Sequence, residues 1–128
     1  MMKIVFKTLI IVFIGMLVLG CENNNSTTNN TIENIKTSEV KTIIDNKDES
    51  YIIIDVREIS EYNDGHLIGA INVPLSSIDS ITYSKDKTII VYCRSGSRSH
   101  EAAVKLNNMG YNVKDMGGIL NWTYELEY

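Results

Sequence analysis

Cys93, Arg94 and Arg98 fall together in the run Thr88-Ile-Ile-Val-Tyr-Cys-Arg-Ser-Gly-Ser-Arg-Ser99. A thiol flanked by guanidinium groups suits a nucleophile that acts on an anion. The chain has only three arginines, Arg57, Arg94 and Arg98, so this one loop holds two of them. The apolar, β-branched stretch before Cys93 predicts a strand. After it, Ala102, Ala103, Leu106 and Met109 recur at helical spacing, which predicts a helix over 99–109 with Gly110 at its C′ position. A strand-loop-helix unit leaves the first helical N–H groups without intrahelical partners, and the helix dipole adds positive potential beside the thiol. Anions and thiolates are both stabilised in such a place. The other reading of Cys93 is a small buried hydrophobe that ends a strand.

The loop Cys93-x-x-Gly96-x-Arg98 resembles the active-site loop of rhodanese-type sulfurtransferases. Two further stretches carry the same resemblance in the family's order. Asp55-Val-Arg57 with Glu61-Tyr62 and Gly65-His66-Leu-Ile-Gly69-Ala70-Ile-Asn72-Val-Pro74 is similar to the N-terminal rhodanese signature, and Gly117-Gly118-Ile-Leu-Asn-Trp122 to the closing motif. The resemblance spans residues 32–128. It implies an α/β rhodanese-like domain, with a mostly parallel central sheet flanked by helices and Cys93 cycling between thiol and persulfide. It also implies a small sulfur-containing anion such as thiosulfate as donor, a thiol or cyanide-type acceptor, and no cofactor.

A sulfur-transfer nucleophile attacks a sulfane sulfur as a thiolate and then holds the terminal persulfide sulfur until an acceptor takes it. Both stages need anion stabilisation. Inward-pointing N–H groups of the loop supply it, and Gly96 permits a backbone conformation that other residues resist. Arg94, next to the nucleophile, reads as a contact for an anionic donor. Arg98 either binds substrate or locks the loop to the domain body. Ser95, Ser97 and Ser99 either donate hydroxyl hydrogen bonds to the sulfur anion or cap the helix.

Asp55, Arg57 and Glu61 read by resemblance as a structural cluster at the end of a buried strand, His66 as a residue orienting a turn, and Trp122 as a core anchor for a C-terminal helix. His66 and His100 are the only histidines, and neither has a Cys or acidic partner at metal-ligand spacing, so no metal site is expected. Related rhodanese-like domains that act as cysteine phosphatases or arsenate reductases have one more residue between cysteine and arginine. Here Arg98 closes the shorter, sulfur-sized loop. The alternative from a different class is a non-catalytic or persulfide-carrying module that binds a protein partner.

The amino terminus has its own logic. Lys3 and Lys7 precede the apolar run Leu9 to Leu19, the layout of a secretory signal. That run is shorter than the ~20 residues of a bilayer span. Leu17-Val-Leu-Gly20-Cys21 resembles a bacterial lipoprotein box, which implies cleavage after residue 20, a lipid on the Cys21 sulfur, and residence outside the cytoplasmic membrane. The other reading is an uncleaved anchor. Cleavage removes two of the 12 basic residues and no acid, leaving 10 against 16, a net of −6. Nucleic acid is not an expected partner for that surface.

Residues 21–31 are rich in Asn, Ser and Thr and cannot bury enough apolar surface to offset the entropy of ordering, so they read as a tether. The remaining stretch, about 97 residues, suits one small domain. Within it, Thr31 to Lys36 is a weak strand candidate. Thr37 or Ser38 could cap a helix through Asn46. Tyr51 to Asp55 and Thr88 to Tyr92 are continuous apolar runs, which indicate strands covered on both faces, and Tyr111 to Met116 supplies another strand. Ligands on such sheets bind beyond the carboxyl ends of the strands, where Cys93 would sit.

Overall fold

The computed structural model describes residues 31–128. The expected leader, Cys21 and nearly all of the tether lie outside the described residues. Five strands, β1 (Glu33–Asn34), β2 (Tyr51–Asp55), β4 (Ile71–Asn72), β5 (Thr88–Cys93) and β6 (Asn112–Gly118), form one sheet in the order β1-β6-β5-β2-β4. Every pairing in it is parallel. A small antiparallel ladder joins β3 (His66–Leu67) to β7 (Leu126–Glu127). The α/β fold with a mostly parallel central sheet is therefore as expected.

The continuous apolar runs are covered on both faces. Along β5, Ile89, Val91 and Cys93 point into one cluster with Ile54, Ile78, Ala102, Ala103 and Leu106, under helix α3 (Ser97–Asn108) and the 3-10 helix Leu75–Ser80. Ile90 and Tyr92 point the other way, to Ile53, Leu67, Met116 and Val40 of helix α1 (Thr37–Asp45). Each fully buried Ile or Val contributes about 1.5–3 kcal/mol. β5 is thus the best-anchored strand, and it ends in the thiol.

Helix α3 begins two residues earlier than its periodicity predicts, because Gly96 at φ 112° ends the loop and turns the chain into the helix. Ser97 and Ser99 consequently belong to the first helical turn. At the other end, Gly110 N–H donates to Asn107 O at 3.0 Å and Tyr111 N–H to Leu106 O at 3.1 Å, the pair of bonds that closes a Schellman cap on a left-handed glycine.

Three further expectations need correction. The first strand is only two residues long. Helix α1 is capped by Lys36, whose N–H donates to the Glu39 carboxylate at 3.0 Å, so Thr37 is its first helical residue and not its cap. The chain after Gly118 forms a 3-10 turn, Ile119–Asn121, and then β7, where a C-terminal helix was expected. Trp122 packs half-buried against the Val40 cluster beside Leu126, and its indole N–H donates to Glu125 O at 3.2 Å.

Candidate active site

Cys93 is the last residue of β5 and only 1% exposed. Its Sγ accepts a hydrogen bond from Gly96 N–H at 3.0 Å. The left-handed φ of Gly96 aims that N–H back at the sulfur, which a residue with a side chain would resist. The Gly96 carbonyl in turn accepts from His100 N–H at 3.1 Å and from the Ser99 hydroxyl at 3.0 Å. Ser99 is fully buried and its one proton goes to a carbonyl, so it offers none to the sulfur. Ser95 and Ser97 are exposed.

The loop is held from two directions. On one side Arg98 forms a two-pronged pair with Glu61, donating from Nη1 to Oε2 at 2.7 Å and from Nη2 to Oε1 at 2.9 Å. Glu61 lies in the short helix α2 (Ile59–Asn63) and also accepts from the Glu58 N–H at 3.0 Å, so one carboxylate caps a helix and fixes the loop. The Arg98 guanidinium holds the Glu61 carboxyl at about 2, below its ordinary 4.5. Arg98 is in turn pushed above its usual value, first by Glu61 and less strongly by charge on the Cys93 sulfur. Of the two roles open for Arg98, the observed contact is that of a lock.

On the other side stands Gly118. The strand pairing sets Cys93 opposite Gly118, after a β-bulge that inserts Met116 between the Val91–Asp115 and Tyr92–Gly117 pairs. Asp115 closes the bulge by accepting from Gly117 N–H at 2.8 Å. The bulge turns Gly118 toward the loop, where a Cβ would lie 2.4 Å from Arg94 O and 2.9 Å from Ser95 Cα. Leu120 N–H donates to that same Arg94 carbonyl at 3.2 Å. Gly118 as the loop's packing partner was not singled out among the site residues. A glycine ending a strand, where another backbone approaches, is the signal that marks it.

Arg94 is exposed, and its guanidinium has no hydrogen bond or ion pair among the described residues. It is the loop's one available cation. Beside it opens a cleft of about 340 Å³ lined by Arg57, Glu61, Asp64, Arg94, Ile119 and Leu120. A larger cleft of about 540 Å³, lined by Ile43, Ile44, Ile71 and Lys87, adjoins Tyr51 and the start of β5 at the opposite end of the sheet. It is remote from the thiol.

Asp55 and Arg57 form a separate buried pair. Arg57 Nε donates to both Asp55 oxygens at 3.0 Å, and Nη2 donates to Oδ2 and to Gly65 O at 2.7 Å. Burial pulls the Arg57 guanidinium down, but the Asp55 carboxylate outweighs it and the net direction is up. Tyr92 lies under this pair. Its phenol is pushed up, chiefly by burial and next by Asp55, and its oxygen accepts from Leu67 N–H at 3.1 Å. The Asp55–Arg57 pair welds the end of β2 to the turn after α2, the helix that carries Glu61. Glu61 itself is drawn to Arg98 and away from this cluster.

His66 stacks on Tyr62 at 3.6 Å and its Nδ1 donates to Tyr62 O at 2.8 Å, while Nε2 lies 3.4 Å from Glu127. It orders the turn that β7 covers. Trp122 donates to Ile119 O and Glu125 O and not to the loop. Among the described residues no three His, Cys, Asp or Glu side chains group as a metal site, and no helix is long and apolar enough to cross a membrane.

The chain is similar to known proteins. A thiosulfate:glutathione sulfurtransferase from Saccharomyces cerevisiae is 29% identical over 120 residues, covering 80% of this chain and 86% of that protein. Thiosulfate sulfurtransferase PspE of Escherichia coli is 38% identical over 71 residues, covering 52% of this chain and 68% of its own. The solved structure of SSP1007 from Staphylococcus saprophyticus superposes with a TM-score of 0.69 at 28% identity, covering 76% of this chain and all of that one. The chain spans 28%, 45% and 59% of the length of three other curated relatives. The family described as the rhodanese-like domain matches residues 36–125, and the chain belongs to it.

Proposed function

We propose that the protein is a sulfurtransferase that moves a sulfane sulfur from a small anionic donor such as thiosulfate to a thiol or cyanide-type acceptor through a Cys93 persulfide. The observation that carries this reading is the Gly96 N–H 3.0 Å from Cys93 Sγ, in a loop pinned by Arg98 and Glu61. In the first half-reaction the Cys93 thiolate attacks the sulfane sulfur of thiosulfate. A new S–S bond forms, and the old one breaks with its electron pair leaving on sulfite. Arg94, unpaired at the rim, meets the charge of the sulfonate. In the second half-reaction a thiolate or cyanide attacks the outer sulfur, and the electron pair of the broken bond returns to Sγ. The Gly96 N–H stabilises the thiolate form of Cys93. The relatives named as sulfurtransferases support the same reading.

The protein works, in this proposal, outside the cytoplasmic membrane of a bacterium, lipid-anchored through Cys21. β1 enters the parallel sheet from the end opposite Cys93, so the proposed tether would join the domain at the end of the sheet away from the catalytic loop. The test of activity is turnover of thiosulfate and cyanide to sulfite and thiocyanate. Cys93→Ser is expected to abolish it and Cys21→Ser to leave it intact, and turnover by Cys93→Ser would refute the proposal.

A further inference from the structure

The cleft beside the loop has a charge pattern that a purely inorganic donor does not use. Four of its six lining residues are charged, and two of those are already committed: Arg57 to Asp55, and Glu61 to Arg98. The remaining two carry opposite charges. Arg94 on the loop and Asp64 at the C-cap of α2 have no side-chain partner among the described residues. The third wall is apolar, made by Ile119 and by Leu120, which is 66% exposed.

The cleft also adjoins the catalytic loop through Arg94. Cys93 and Gly118 are the paired last residues of β5 and β6, and Arg94 and Ile119, which line the cleft, follow them directly. A ligand bound to Arg94 is therefore held by the residue next to Cys93. A free carboxylate in the same cleft as Arg94 would repel thiosulfate and sulfite, so Asp64 is out of place for the first half-reaction alone. It is in place for a ligand with an ammonium.

We infer that this cleft is the acceptor subsite and takes an amino-acid thiol, a cysteine with free α-carboxylate and α-ammonium groups, its carboxylate on Arg94, its ammonium on Asp64 and its methylene against Leu120. The inference rests on the sulfurtransferase reading and names the acceptor class of the same site. The acceptor thiolate attacks the outer persulfide sulfur, an S–S bond forms to the acceptor, and the electron pair of the broken bond returns to Cys93 Sγ. No outside oxidant or reductant is needed.

The test is a single-turnover discharge. Full-length protein carrying Cys21→Ser is loaded with thiosulfate, desalted, and mixed with L-cysteine, cysteamine, 3-mercaptopropionate or 2-mercaptoethanol, and loss of the sulfur is timed. Each variant is divided by its parent for the same thiol, so differences in intrinsic thiol reactivity cancel. Asp64→Asn should slow discharge to cysteine and cysteamine by about two- to fivefold relative to 3-mercaptopropionate, the scale of one solvent-screened ion pair. Asp64→Lys should go further and favour 3-mercaptopropionate over cysteamine. Asp64 is exposed at a helix end, so both variants are expected to fold. A chain that takes up sulfur but shows the same variant-to-parent ratio for all four thiols overturns the acceptor assignment alone. A chain that takes up no sulfur overturns the sulfurtransferase reading and this inference with it.

Discussion

Gly118→Ala tests whether the catalytic loop is held by close backbone packing. The native φ of Gly118 is −100°, which alanine adopts freely, so the substitution carries no backbone strain and its whole effect is steric. The new Cβ would stand 2.4 Å from Arg94 O, whereas real Cβ atoms essentially never come within 3.0 Å. The loop must therefore retreat by at least about 0.6 Å. The bond from Leu120 N–H to Arg94 O, 3.2 Å long, breaks first, and the Gly96 N–H that meets Cys93 Sγ moves with the loop. Overpacking of this kind costs about 1–3 kcal/mol. For a domain of this size that lowers Tm by roughly 4–20 °C. A displacement on the ångström scale at the nucleophile slows sulfur uptake by about 10²-fold. The comparison is Gly69→Ala, which has φ +79° and open space around its Cβ, so it brings strain without a collision and lies in a remote turn. Thermal melts and rates of sulfur uptake separate the two. Gly69→Ala should lose some stability and keep its uptake rate, and Gly118→Ala should lose both. A Gly118→Ala protein with parental Tm and parental uptake would refute the packing argument.

Other perturbations follow from the same contacts. Asp55→Ala strands the buried Arg57 guanidinium and should destabilise the domain by about 3–5 kcal/mol in urea denaturation; a change below about 1 kcal/mol would contradict the buried pair. Glu61→Gln removes a partly exposed two-pronged pair, costing about 1 kcal/mol after solvent screening, but should slow sulfur uptake by a larger factor because the loop loses its lock. The Glu61 carboxyl is held at about 2 against an ordinary 4.5, so the contribution of this pair is full above pH 4.5 and fades as pH falls through 2. The stability gap between parent and Glu61→Gln should therefore be constant at neutral pH and close only in strong acid. Arg94→Ala should lower kcat/KM for thiosulfate without lowering Tm, since the guanidinium has no internal partner to lose; unchanged kcat/KM would remove its role.

The parts of the fold that are local in sequence are the legible ones. Ile52 to Ile54 and Thr88 to Val91 are uninterrupted β-branched runs, and both lie in central strands covered on two faces. The helix after Cys93 shows its period and its terminal glycine, and only its start is displaced, because a left-handed Gly96 is invisible to hydrophobic spacing. Contacts made at a distance are not legible. Arg98 could be a lock or a substrate ligand until Glu61, 37 residues away, is seen against it. The two-residue strands β3, β4 and β7 carry no period, and the stretch after Gly118 has too few residues to distinguish a 3-10 turn from a helix. The bulge at Met116 decides which face Gly118 presents, and it arises from register between strands, which neither strand's own residues declare.

The most direct test of the account is the intact mass of the full-length Cys21→Ser protein after incubation with thiosulfate. Cys21 and Cys93 are the only cysteines, so in this variant any added sulfur sits on Cys93. The expected result is a gain of one sulfur atom, its loss on addition of cyanide or a small thiol, and no gain when Cys93 is also replaced by Ser. A folded protein whose Cys93 is reduced and can be alkylated, yet gains no sulfur from thiosulfate or a persulfide donor, would contradict it.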